Sequence, residues 1–414
     1  MKSINYIDLF AGAGGLSEGF INAGFRPIAH IEMNKDACNT LKTRLAYHWL
    51  KSNNQIKEYN SYLLASDRKK ENLWKKIPTS VINSVINNEI SKATLSNIFK
   101  KTDDLLNGKK VDLIIGGPPC QAYSVVGRAR KDMKNDPRNY LYKHYIKFLV
   151  KYNPKMFVFE NVPGILSARN GHYLDQIFSA IRNVGYELSI PSENLLNAKD
   201  FGVLQDRKRV IIIGWRRDLN LEYPKFEKIS HGFEVMTDLF SDLRPIKSGQ
   251  GTIDAIEYSG PTTKYLKQTN IRNGFRYVTQ HIARPNNDND LEIYKIACDY
   301  WNQGYRLKYT DLPSRLIKHS NLKTFLNRFQ VVNGKGLSHT VVAHIAIDGH
   351  YYIHPDKKQN RSISIREAAR IQSFPDDYFF EGSRTAAFKQ IGNAVPPLMA
   401  QKIAERIKEI IWKR

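Results

Sequence analysis

Residues 4–34 read INYIDLFAGAGGLSEGFINAGFRPIAHIEMN. A strand-like run, Ile4 to Phe10, breaks at three glycines, Gly12, Gly14 and Gly15. Leu16 to Ala23 has the spacing of a helix, and Gly24 ends it. Phe25 to Ile31 is a second strand, closed by Glu32. Strand, Gly-rich turn, helix and strand make a βαβ unit, and such a crossover joins parallel strands.

The rhythm continues outward. Val111 to Ile115, Met156 to Phe159 and Val210 to Ile213 read as further strands, with helical segments at Tyr140 to Tyr152 and Tyr173 to Asn183 between them. The alternation predicts an α/β fold, a doubly wound, mostly parallel sheet of Rossmann-like type. Residues 50–102 are polar, rich in Lys, Asn and Ser, and read as an insertion of helix or loop. After Trp215 the βαβ rhythm stops. We expect a catalytic domain over 1–215, a second, smaller domain over 216–337, a hinge over 338–384 and a C-terminal helical return over 385–414. Within the hinge, Ile365 to Ser373 is helical until FPDDYFF breaks it, and Pro397 opens an amphipathic helix.

The 414 residues carry a net charge of +23, which suits a polyanionic partner such as nucleic acid or a solvated basic surface. Nine Lys/Arg against two Asp fall between Val125 and Lys155. Three cysteines, Cys38, Cys120 and Cys298, make neither a disulfide framework nor a zinc site, so no metal is expected. No run approaches the ~18 apolar residues of a membrane span. The N-terminus has no signal-peptide layout. These features predict a cytoplasmic protein with no membrane contact.

Four motifs carry chemistry. In DLFAGAGG the small residues let the backbone approach a ligand closely, and Glu32 can accept hydrogen bonds from ribose hydroxyls. The pattern differs from the dinucleotide fingerprint and suits a nucleoside ligand without a pyrophosphate, such as S-adenosylmethionine. In GGPPCQAYS, residues 116–124, Cys120 follows two prolines at a strand end. An isolated cysteine is most often a small buried hydrophobe, but that loop position favours a nucleophile presented in a cleft. Cys38 and Cys298 lie in helix-like runs and read as core. In FVFENVPGI, Glu160 ends another strand, as a general acid or as a cap of the turn. In QDRKRVIIIG, alternation puts Gln205, Arg207 and Arg209 on one face, where two arginines suit a phosphate, a base carbonyl or a surface ion pair.

Together, DLFAGAGGLSEGF, GGPPCQAYS, ENVPGI, QDRKRVIIIG, REAARIQSFPDDY and QIGNAVPP resemble the ordered blocks of the DNA cytosine-5 methyltransferases. The resemblance implies that the Cys120 thiolate attacks carbon 6 of a flipped-out cytosine while Glu160 protonates ring N3. Carbon 5 then takes the methyl group of S-adenosylmethionine, and loss of its proton with elimination of Cys120 releases 5-methylcytosine. Arg209 matches the arginine at the base carbonyl, and Arg207 has a phosphate or orienting role. For the cofactor, the resemblance implies Phe10, Gly12, Gly14 and Gly15 around methionine and ribose, Glu32 on the ribose, and Met33 against adenine. Asp103 or Asp104 would accept from the adenine amine, and Pro119, Leu141, Asn393 and Val395 complete the cofactor set. Gln121, Ser124, Arg128 and Gln205 are the implied DNA contacts, and the basic segment after Cys120 resembles a loop that closes over the flipped base.

The implied substrate is double-stranded DNA, read through residues 216–337. The implied setting is a restriction-modification system, with a monomer acting at the nucleoid and a cognate endonuclease sharing the site without a stable complex. An RNA cytosine-5 methyltransferase of the same fold is the alternative, but its branch tends to lack so large a recognition region. A silent nucleic-acid binder would be expected to lose Cys120 or Glu160, and both are present.

Overall fold

The computed structural model describes residues 3–119, 140–230 and 232–412. Its centre is one twisted sheet. In chain order its strands are β1 (Asn5–Leu9), β2 (Arg26–Glu32), β3 (Val85–Asn87), β4 (Leu113–Gly116), β5 (Met156–Asn161), β6 (Tyr186–Ser189), β7 (Leu196–Asn197) and β9 (Lys208–Arg216), while β8 (Gln205–Asp206) pairs outside it with Ser338–His339. The spatial order is β3-β2-β1-β4-β5-β9-β6, and β7 adds to β9. The first five of these are mutually parallel. β9 runs antiparallel between β5 and β6. The expected doubly wound α/β sheet is therefore observed. Three strands of the sheet, β3, β6 and β7, escaped the sequence reading, because runs of two to four residues carry no clear period.

Helices cover both faces: α1 (Gly15–Asn22), α2 (Lys35–Ser52), α3 (Ile56–Leu64), α4 (Lys70–Trp74), α5 (Thr79–Asn83), α6 (Leu95–Leu106), α7 (Leu141–Tyr152) and α8 (His172–Arg182). Alternation along the strands sorts the core into two layers. Ile7, Leu9 and Ile114 meet Tyr145, Phe148 and Ile177 on one face. Tyr6, Leu113 and Ile115 meet Phe20, Ile403 and Ile407 on the other. Each such side chain, once fully buried, contributes about 1.5–3 kcal/mol.

The helix Pro397–Trp412 lies against α1. The crossing is close because α1 offers a glycine there. A Cβ on Gly19 would stand 2.3 Å from the Gln401 amide nitrogen. Residues 394–407 thus complete the core begun by β1.

Helices α3 and α4 bury Tyr59, Leu63 and Leu73 against Phe379 and Phe275. The Tyr59 hydroxyl donates to the Asp377 carbonyl at 2.7 Å, and the Tyr62 hydroxyl to Glu381 Oε1 at 2.6 Å. These helices therefore brace the FPDDYFFE segment. That segment is buried despite its charges. Arg370 is fully enclosed and forks between Asp376 and Asp242, while Arg44 joins Asp377 to Glu18.

Between β9 and the helix Ile365–Ile371 the elements are short. Two-residue ribbons pair Gly251–Thr252 with His281–Ile282 and Ile256–Glu257 with Tyr277–Val278. The helix Asp288–Asn302 is the one long element of this stretch among the described residues.

Candidate active site

Because β1, β2, β3, β4 and β5 are parallel, their C-terminal ends share one edge of the sheet, where open α/β folds bind ligands. At the end of β1, Phe10 turns out of the strand with a φ of 57°, followed by Gly12 at 55° and Gly14 at 85°. Non-glycine residues adopt this region rarely. A Cβ on Gly12 would meet nothing within 4 Å, so the turn leaves open space there. A Cβ on Gly15 would stand 2.3 Å from the Val395 carbonyl oxygen. Gly15 thus serves the close approach of the C-terminal segment, with Val395 buried behind it and Asn393 exposed at the end of its helix.

The Gly12 amide donates to Glu32 Oε2 at 2.8 Å, and the Asn34 amide to Oε1 at 2.7 Å. Each carboxylate oxygen keeps a further lone pair. Glu32 can hold the loop and still accept from two hydroxyls. Next to it, Met33 leaves 64% of its surface exposed, an apolar face at the same edge. Within β1, Asp8 is buried and neither carboxylate oxygen has a hydrogen-bond partner among the described residues. Burial, with the Glu32 charge adding to it, pushes the Asp8 carboxyl well above the usual carboxylate range. The sequence reading missed Asp8, although a carboxylate inside the apolar run Ile4 to Phe10 was the available signal.

Asp103 and Asp104 need correction. They lie in the last turn of α6, which runs back from the ligand edge toward the start of β4. Both are exposed there, and Asp103 pairs with Lys151 at 2.8 Å. They are on the wrong side of the sheet for adenine. The stretch that reaches the ligand edge follows β3. The Asn88 amide donates to the Glu32 carbonyl at 3.0 Å, and Asn87 Nδ2 donates to the Glu32 and Met33 carbonyls at 3.1 and 2.9 Å. Glu89 comes next, exposed.

At the ends of β4 and β5 a second cluster forms. A Cβ on Gly117 would lie 2.5 Å from Glu160 Oε2, so the glutamate rests directly over the glycine that opens the GPPC turn. Asn161 Nδ2 donates to the Pro118 carbonyl at 3.2 Å and clamps the same turn. Arg209 Nε stands 2.9 Å from Glu160 Oε1, and both side chains are largely buried. Burial lowers the pKa of the Arg209 guanidinium, and the Glu160 charge opposes that. Pro119 is exposed, and Leu141 opens α7 partly buried. Cys120, Gln121, Ser124 and Arg128 lie outside the described residues, as does the first half of the basic segment.

Two further expectations are overturned, the phosphate role of Arg207 and the DNA contact of Gln205. Arg207 has no exposed surface, and its guanidinium donates to the carbonyls of Val341, Gly392 and Ala394 at 2.6, 3.2 and 2.8 Å. It meets no phosphate and instead ties the GNAVPP segment to β9. Gln205 is equally enclosed. Its amide donates to the Ile371 carbonyl and to Gln372, and accepts from the Val341 amide at 2.8 Å, which leaves nothing for DNA.

A model of the family described as C-5 cytosine-specific DNA methylase matches residues 4–68 and 71–409. The chain is 44% identical to the Type II methyltransferase M.Bpa9945I of Bacillus paralicheniformis over 98% of each protein. It is 32% identical to the Type II methyltransferase M.DdeI of Desulfomicrobium norvegicum, over 98% of this chain and 88% of that one. Among solved structures, a prophage-encoded candidate DNA modification methyltransferase (E. coli) superposes with a TM-score of 0.64 at 21% identity, over 99% of each chain, a likeness of fold.

Proposed function

The chain belongs to the C-5 cytosine-specific DNA methylase family, and from that premise we propose that Cys120, Glu160 and Arg209 carry its chemistry. The activity is transfer of a methyl group to carbon 5 of cytosine in double-stranded DNA, with S-adenosylmethionine supplying the methyl group. The observation that carries the residue assignment is the placement of Glu160. It lies over Gly117, three residues before Cys120, and pairs with Arg209. A cytosine held above that turn would meet the thiolate at carbon 6, the Glu160 carboxyl at N3 and the Arg209 guanidinium at the base carbonyl. The base must leave the duplex to arrive there.

For the cofactor, the open space at Gly12, the spare lone pairs of Glu32 and the exposed Met33 fit a ribose and an adenine. The unpartnered Asp8 carboxyl suits the ammonium of the methionine moiety. We assign the adenine amine to Glu89. Residues 216–337 are assigned target recognition, with 1–215 and 385–414 as the catalytic part and 338–384 between them. Like the relatives named Type II methyltransferases, the chain is assigned to a restriction-modification system, protecting cytoplasmic DNA from a nuclease of the same specificity. Among the described residues, no helix is long and apolar enough to cross a membrane.

Bisulfite sequencing of plasmid DNA from cells expressing the chain tests the assignment, beside a Cys120→Ala control. We expect cytosines protected within one short motif, protection lost in Cys120→Ala, and DNA binding by that variant retained. Protection that survives in Cys120→Ala would remove the thiol from the mechanism.

A further inference from the structure

The turn after β1 places Phe10, Gly12 and Gly14 in the left-handed region, a shape that persists only where neighbours hold it. Part of that hold comes from β2: the Ala11 amide donates to the Ile31 carbonyl at 3.1 Å, and the Gly12 amide to Glu32 Oε2 at 2.8 Å. A further hold comes from a residue 365 positions away. The Tyr378 hydroxyl donates to the carbonyl of Ala13, the residue between the two glycines. The direction follows from the groups: a carbonyl can only accept, and burial keeps the phenol protonated by raising its pKa well above the ordinary tyrosine value. Gly14 makes room for the contact. A Cβ there would stand 3.1 Å from the Tyr378 hydroxyl oxygen and 2.6 Å from Leu41 Cδ2.

Tyr378 is itself fixed on every part. It is fully buried, and its ring packs on Phe374 and Phe380 with centroids 4.8 and 5.3 Å away. The Arg44 guanidinium lies 4.8 Å from the ring centre, held there by Glu18 and Asp377. The Tyr378 amide donates to the Pro375 carbonyl at 3.0 Å, and its carbonyl accepts from Arg366 at 3.0 Å. A phenol locked in this way offers its hydroxyl in one direction only, toward the turn.

Tyr59, equally buried, gives the contrast. Its hydroxyl donates to the Asp377 carbonyl at 2.7 Å, so it supports the backbone of the same segment one residue earlier. The Tyr378 bond ends on the turn itself. Without it, the buried Ala13 carbonyl loses that donor and the turn is free to shift. The open space assigned to the cofactor lies at Gly12, next to Ala13. A shifted turn would bind the cofactor less tightly, while a cofactor once bound would still present its methyl group to the same base.

We propose that Tyr378 is a positioning residue for the methyl donor: its hydroxyl, bonded to the Ala13 carbonyl, holds the glycine turn in the shape that receives S-adenosylmethionine. The proposal rests on the cofactor reading of that turn and deepens it by naming a residue that acts on the cofactor through the backbone. The test uses the full chain with Tyr378→Phe and Tyr59→Phe, each of which removes one buried hydroxyl and keeps the ring. Isothermal titration calorimetry reads the Kd for S-adenosylmethionine, and transfer of tritiated methyl groups to unmethylated plasmid DNA reads KM and kcat. In Tyr378→Phe we expect Kd and KM to rise about tenfold, the effect that one buried hydrogen bond supports. Its kcat should stay within about twofold of wild type. Tyr59→Phe should lower the denaturant midpoint and leave Kd and KM as they are, since a purely structural hydroxyl changes stability and not cofactor affinity. Unchanged Kd and KM in Tyr378→Phe would overturn the proposal, and so would equal rises in both variants. A Tyr378→Phe chain that fails to fold would make the hydroxyl an anchor of the fold at large and overturn it too. Wild-type protein that binds no S-adenosylmethionine would overturn the cofactor reading beneath it.

Discussion

At Gly117 a hydrogen atom stands where any side chain would strike Glu160, and at Gly15 another stands where one would strike Val395. These contacts explain why the motif residues were legible: Cys120, Glu160 and Arg209 are reactive types at the ends of apolar runs, and a strand end in a parallel sheet is a ligand edge. Asp8, Glu89 and Arg207 were less legible. Asp8 sits inside a strand, Glu89 follows a strand too short to show a period, and the fully buried Arg207 has carbonyl partners more than 130 positions away. Glu89 offers a direct check against the residues it replaces. Glu89→Gln should raise the KM for S-adenosylmethionine several-fold with little change in kcat, while Asp103→Asn leaves both alone. The reverse pattern in steady-state kinetics would restore the aspartate.

Among elements, the segment from Arg366 to Glu381 departs most from its sequence appearance. Its alternating charges suggest a solvated helix and loop, yet Arg366, Arg370, Asp376 and Asp377 are all buried. Burial is tolerable because partners arrive from distant elements, Asp242 for Arg370, Arg44 for Asp377 and the Thr279 carbonyl for Arg366, and the segment's own Pro375 and Tyr378 carbonyls also accept from Arg366. Removing one partner strands the others. Arg370→Met should cost about 3–5 kcal/mol, because Asp376 loses its guanidinium fork and Asp242 keeps only Arg272. Arg370→Lys should recover little, since an ammonium cannot fork between two carboxylates. Denaturant unfolding measures both, and wild-type midpoints would show that the fork contributes nothing.

Over the whole molecule, buried histidines tie stability to pH. Burial holds His30 down to about 3, His339 and His354 down to about 4, and His281 below its ordinary value. In the fold these rings are neutral, whereas the unfolded chain takes up protons below about pH 6.5. Their contribution is complete above that pH and is lost as pH falls toward 4. Asp8 and Glu381, whose carboxyls burial raises, act in the opposite sense but are fewer. We expect Tm to fall steadily between pH 7 and pH 5 at constant ionic strength; a flat profile would show that the histidines are hydrated. The alternation of strands and helices, which made the α/β class readable, says nothing of such long-range burial.

The meeting of Gly15 with Val395, and of Gly19 with Gln401, also sets an order in time. The glycine turn is made well before the backbone that packs over it. A nascent chain carries every motif up to FPDDY before residues 394–407 can dock on α1. A chain that has not yet made residues 394–407 therefore lacks the backbone packed against Gly15 and Gly19.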